Sequence, residues 1–174
     1  MLLWHVGGAV FLFRTVFRDP EVDLRFLVAG AVLPNVVDLP VGLLLHAEPH
    51  RIGRGLGHTL VLAVALMTVG MWVTRVRSPA RRRAVAVAVG VMFHLLLDGM
   101  WTVPDLLLWP LPGWDLPRGV SGEWSGLPGS VFEHPIRLGQ EVAGLAYLVW
   151  LGHRARLVDP AWRSRLWRTG TIES

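Results

Sequence analysis

Five apolar segments recur along the chain, at residues 2–13, 26–46, 56–74, 84–103 and 138–152. As a helix, about 20 such residues cross the ~30 Å hydrocarbon core of a bilayer, and the third and fourth segments, about 28–30 Å long as helices, are expected to cross it. The second is long enough but carries Pro34 and Pro40, so a kink or break is expected within it. The first and last are short, and are expected to tilt, extend at their ends or insert only in part. Only 17% of the 174 residues are charged and 52% are hydrophobic, against about a quarter charged in a soluble domain. The mean hydropathy is +0.45. The expected fold is therefore all-α, an integral membrane bundle of about five apolar helices. Residues 104–137, rich in Gly, Pro and Trp ("WPLPGWDLPRGVSGEWSGLPG"), read as an irregular outer loop with interfacial aromatics.

Arginine placement sets the orientation. All 17 basic residues are Arg. Connections 14–25, 75–83 and 153–174 hold thirteen of them, and the alternate connections 47–55 and 104–137 hold four. The positive-inside rule puts the first set in the cytoplasm, with the N-terminus outside and the C-terminus inside. The net charge of +4 is thus a topology signal, and no nucleic-acid partner is expected. A cleavable signal peptide is not expected, because "MLLWHVGGAV" has no basic residue ahead of its apolar run. Residues 1–153 form the expected membrane-embedded domain, and 154–174 an Arg- and Trp-rich cytoplasmic tail on the membrane surface.

Within this oily frame the ionisable residues stand out. In "VMFHLLLDGMW" His94 and Asp98 are four apart, one above the other on a helix face. His5, Asp38, His58 and Glu141 come from the other four segments. At about 1.5 Å per residue all six fall in the outer half of the bundle, although the chain direction alternates. An aspartate at a helix centre costs about 3 kcal/mol of insertion free energy and normally faces partners or water. Gathered in one cluster, three imidazoles and three carboxylates supply each other's partners. They are also the ligands a divalent cation takes where no thiolate exists, and the chain has no cysteine. Six ligands suffice for one or two ions, with zinc expected first and manganese second. Each residue also has a plainer role open to it. The His94–Asp98 pair fits a hydrogen-bonded helix contact, and His5 and Glu141 lie near segment ends where polar groups are normal. His46 and His153 read as boundary residues, and His134 as at most an accessory ligand.

In chain order these residues resemble a known pattern, that of the bacterial and archaeal membrane-bound metal-dependent hydrolases, the YdjM-like or LexA-binding, inner-membrane-associated hydrolases. The matching elements are "WHVGGAV", "GAVLPNVVDLP", "HRIGRGLGHTL", "FHLLLDGMW", "LLWPLPGW" and "EVAG", covering roughly residues 1–150. The sequence departs at Asn35, where the family usually has aspartate, so either Asp38 carries that ligation alone or the site is weakened. A more distant similarity, in His-x-x-x-Asp and the late glutamate, is to zinc-dependent phospholipase C enzymes. The resemblance implies a metal-dependent hydrolase in the inner membrane, acting on a phosphoester or lipid-linked substrate through a metal-activated water at the outer face. Arg54, or Arg51, is expected to stabilise charge building on the substrate, and Asp38 to serve as general base. The alternatives are a non-enzymatic membrane protein with a structural or sensory metal site, and an ion-coupled transporter. Against the transporter, no polar residues continue towards the cytoplasmic side.

Overall fold

The computed structural model describes residues 1–45, 54–115 and 135–172, with side chains to residue 40 in the first stretch. It is all-helical, with no strand among the described residues. The elements are α1 (Leu2–Val16), α2 (Leu24–Leu45), α3 (Leu60–Val73), α4 (Pro79–Leu97), α5 (Pro104–Leu107), α6 (Pro135–Arg154) and α7 (Pro160–Thr169). Single 3₁₀ turns at Leu56–His58 and Met100–Thr102 precede α3 and α5. Much of the expected outer loop, together with His46, Arg51 and His134, lies outside the described residues, and α5 occupies part of the rest.

The five apolar segments all appear as helices, but no helix among the described residues is long and apolar enough to cross a membrane. The expectation from segment length is corrected at each element. α3 has 14 residues, about 21 Å at helical rise, because Thr59 and Thr74 at its two ends both take extended backbone. α4 has 19 residues but opens on Arg81, Arg82 and Arg83. α2 is not broken at Pro34 or Pro40; both lie inside one continuous helix.

α2 packs against α4, and α4 against α3, while α1 contacts α2, α4 and α6. These crossings are close because glycine lines them. A Cβ on Gly30 would run into the Val87 carbonyl, and one on Gly90 into that of Leu27. At the α1–α6 crossing Gly7 and Gly144 face one another, and a Cβ on Gly144 would strike the Leu3 backbone. Small residues that let backbones approach are how helices pack where apolar burial alone gives little gain. Large side chains instead point outward: Trp72 is 86% exposed and Val73 69%.

At one end of the bundle the arginine-bearing connections meet. Arg82 donates to Glu21 at 2.8 Å, Arg83 lies 3.5 Å from Asp23, and Arg81 donates to the Met71 carbonyl. The C-terminal residues close over this end. Leu24 N–H donates to the Gly170 carbonyl (2.8 Å), and Ile172 and Leu166 join the core of Val10, Phe13, Leu24, Leu27 and Leu151. Arg25 grips both oxygens of Asp23, at 2.8 and 2.7 Å, and also donates to the Trp167 carbonyl. The hydrogen bond from Arg25 holds the Asp23 carboxyl below the usual carboxylate range, against its partial burial.

Candidate metal centre

The site lies at the end of α4 opposite Arg81, Arg82 and Arg83. α4 starts on the Ser78 cap, whose hydroxyl accepts from Arg81 N–H, followed by Pro79 at the first helical position. It ends because Gly99 takes a left-handed conformation (φ 66°). Asp98 caps the helix while still helical in backbone, and its N–H donates to the His94 carbonyl at 3.0 Å. The carboxylate therefore sits one turn above the imidazole, His94 Nε2 to Asp98 Oδ2 being 3.9 Å.

Two further rings close on this pair. His5 of α1 stacks on His94, with centroids 4.1 Å apart and planes at 18°, and its Nε2 lies 2.9 Å from Asp98 Oδ1. His58, brought in by the 3₁₀ turn before α3, places Nε2 at 3.1 Å from His94 Nε2 and 3.2 Å from Asp98 Oδ2. All three rings are buried, His94 completely. Arg54 reaches the same carboxylate from the rim, its Nε donating to Asp98 Oδ2 at 3.1 Å and Nη2 to the Asp98 carbonyl at 3.3 Å.

Asp38 stands one step back. Its oxygens accept the N–H groups of Gly55 (2.7 Å) and Gly57 (2.5 Å), and Oδ2 is 2.6 Å from His58 Nδ1. It pins the loop that carries Arg54 and His58 and fixes the His58 ring. Glu141 lies elsewhere: its Oε2 accepts Leu3 N–H at 2.8 Å, and Oε1 is 3.7 Å from the Met1 amino group. There it satisfies an orphan donor in the first turn of α1. Asn35 is next to Pro34 on α2, and His153 is exposed near the end of α6.

Proton bookkeeping gives the cluster its chemical character. Each ring turns Nδ1 to an acceptor: His5 to the Met1 carbonyl, His94 to the Ala31 carbonyl (2.6 Å), and His58 to the Asp38 carboxylate. A carbonyl has no proton to give, and Asp38 already accepts two amides, so all three rings are assigned Nδ1–H. Their Nε2 lone pairs then point inward, at one another and at Asp98. Lone pairs and an anion facing each other in a buried space repel unless positive charge lies among them. Arg54 supplies some from one side.

The donor set fits a divalent cation. Ligand atoms of His5, His94 and Asp98 lie within 4.8 Å of one another. The spacings of 2.9, 3.1, 3.2 and 3.9 Å around Asp98 and the two further rings bracket the ~3.3 Å edge of a tetrahedron with metal–ligand bonds of about 2.0 Å. Nδ1–H bonded to a carbonyl or carboxylate is also the usual outer support of a metal-binding histidine. The backbone acceptors, Met1 and Ala31, had no sequence signal, since any residue type provides a carbonyl.

The chain is thus a helical bundle with three imidazoles and a carboxylate converging in a buried polar site at one end. The chain belongs to the YdjM inner membrane protein family, which matches residues 2–158. No curated protein and no solved structure matches it.

Proposed function

We propose that this chain is a metal-dependent hydrolase of the inner membrane, holding one divalent cation, zinc first and manganese second, between His5, His58, His94 and Asp98. The observation that carries the proposal is the convergence of three Nε2 atoms whose rings all commit Nδ1 outward, beside a carboxylate. A bound divalent cation would bring the pKa of water towards neutrality and polarise a phosphoryl or acyl oxygen. Asp38 holds the His58 ring in register and fixes its tautomer. Arg54 is partly exposed and positioned beside Asp98, where its guanidinium neutralises the carboxylate and meets an anionic group entering from the rim. The substrate is a phosphoester or lipid-linked ester. The bundle sits in the bilayer as a multi-pass unit with the site at the outer face and the arginine-bearing end in the cytoplasm. Support for that placement comes from the segregation of arginines and the outward-facing apolar side chains of α3 and α6. Helices this short require local thinning of the bilayer or tilted neighbours.

The test is hydrolysis of phosphodiester and phosphomonoester lipid analogues by purified protein, with metal content measured in parallel. Turnover that vanishes with chelator and returns with zinc or manganese is expected. Activity insensitive to chelator, or a metal-loaded protein inert on both classes, overturns the hydrolase. The near-complete burial of the three rings favours one alternative, a closed structural or sensory site. That site would show four protein ligands and no exchangeable water position.

A further inference from the structure

A cavity of about 290 Å³ lies between the C-terminal end of α1 and the N-terminal half of α4. The α4 wall consists of Ser78, Arg81, Arg82, Val85, Ala86 and Val89. Their spacing of three and four puts them on one helix face, so the cavity follows a single stripe for about 16 Å. That stripe is serine and arginine at its start and aliphatic beyond. The α1 wall changes in the same order. Asp19 lies 3.5 Å from Arg82, at the polar end. Phe17 stacks on Phe13 (centroids 5.0 Å) and lies 6.2 Å from Phe93, one turn beyond Val89.

At the polar end positive charge is in excess. Arg82 is spent on Glu21 and Asp19. Arg81 donates to the Met71 carbonyl (2.9 Å), a neutral partner, and among the described residues no acid pairs with it. Arg77 is exposed and also lines the cavity, and among the described residues no hydrogen bond or ion pair engages its side chain.

We propose that this cavity binds one anionic phospholipid, its phosphate at Arg77 and Arg81 and an acyl chain starting along Val85, Val89 and the half-exposed Phe17. Both walls run from polar to apolar in the order a lipid does. A soluble phosphate would leave the Phe17–Val89 half of the cavity wet, and a zwitterionic headgroup would set its own ammonium against two arginines. The chain belongs to an inner membrane family, so bilayer lipid is at hand, and the proposal does not rest on the metal reading.

The full-length protein, purified in non-ionic detergent, is exposed to phosphatidylglycerol or phosphatidylcholine of matched chains, and retained lipid is counted by native mass spectrometry. An arginine beside an anionic headgroup contributes about fivefold, so two should give wild type about a 25-fold preference for phosphatidylglycerol. R77Q should cut the preference about fivefold, and R77Q/R81Q should abolish it. Arg75, in the same connection, does not line the cavity, so R75Q should keep the wild-type preference. V85W fills the trough and should retain neither lipid; V89W replaces it should that variant fail to fold. Equal retention of both lipids by wild type, a loss in R75Q as large as in R77Q, or undiminished phosphatidylglycerol in the filled variants overturns the proposal.

Discussion

His58 and His94 bring their Nε2 atoms to 3.1 Å while both rings give their Nδ1 protons to acceptors on α2, Asp38 and the Ala31 carbonyl. Two lone pairs so placed store repulsion that a cation would relieve. Removing one of these rings should therefore cost more metal affinity than removing a group that only supports them. H94A is expected to weaken zinc binding by more than ~100-fold, the upper range for an outer-support change. Competition with a fluorescent chelator reads the value, and an unchanged affinity counts against His94 as a ligand.

Asp38 provides the matching control. D38N keeps the shape but replaces the charged acceptor of the His58 Nδ1–H with an amide. A loss of about 10–100-fold in metal affinity is expected, recoverable at high metal. D98N, by contrast, should not recover, because Asp98 faces His5, His58 and Arg54 together. Occupancy at saturating zinc, measured by elemental analysis, separates the two variants. A D38N protein that cannot be loaded at any zinc concentration would make Asp38 more than a support.

Metal should also stabilise the fold. Zinc at 100 times its wild-type Kd is expected to add about 2.7 kcal/mol to unfolding in the wild type, and less than about 0.4 kcal/mol in H94A. Thermal scans with zinc and with chelator report this. An equal rise in both proteins would place the stabilising ion elsewhere.

The α1–α6 crossing is testable by size alone. Gly144 lies against the Leu3 backbone, whereas Gly139 on the same helix has open space around it. G144V should destabilise by at least ~1–3 kcal/mol through overpacking, and by disturbing α1 it should also lower metal affinity. G139A should stabilise by up to ~1 kcal/mol through helix propensity. Chemical denaturation in detergent distinguishes them, and equal effects would mean the helices do not cross at glycine.

Acid should loosen the C-terminal closure. The Asp23 carboxyl is held below its ordinary pKa by Arg25. A depressed carboxylate pKa contributes stability that is present above the unfolded value, about 3.9, and is lost as pH falls through the folded value. The stability margin of wild type over D23N should thus be flat from neutrality down to about pH 5 and shrink below it. Thermal scans across pH measure the margin, and a margin that grows on acidification reverses the sign.

The sequence was most legible where a helical period governs. His94 and Asp98 had to share a face, and they do. That His5, His58 and Arg54 would join them could be inferred only as a coincidence of depth, and depth does not say which way a side chain points. Glu141 shows the difference: its depth matched, but it turns to the α1 N-terminus. Asp38 was legible as a member of the group, though its partners, the amides of Gly55 and Gly57, depend on a loop conformation no periodicity reveals. The prolines of α2 misled about a break because one missing N–H is tolerable where neighbouring helices pack closely. Segment lengths misled as well, since apolar residues continue past Thr59 and Thr74, where the backbone leaves the helix.

The bond between Leu3 and Glu141 joins residues 138 positions apart. During synthesis α1 emerges first and α6 follows only after every other histidine of the centre has been made. Until α6 is made, the Leu3 N–H lacks its Glu141 acceptor, so the first turn of α1, which carries His5, goes without that brace. The polar end of the bundle is therefore braced by its last long helix, although that helix contributes none of the three imidazoles.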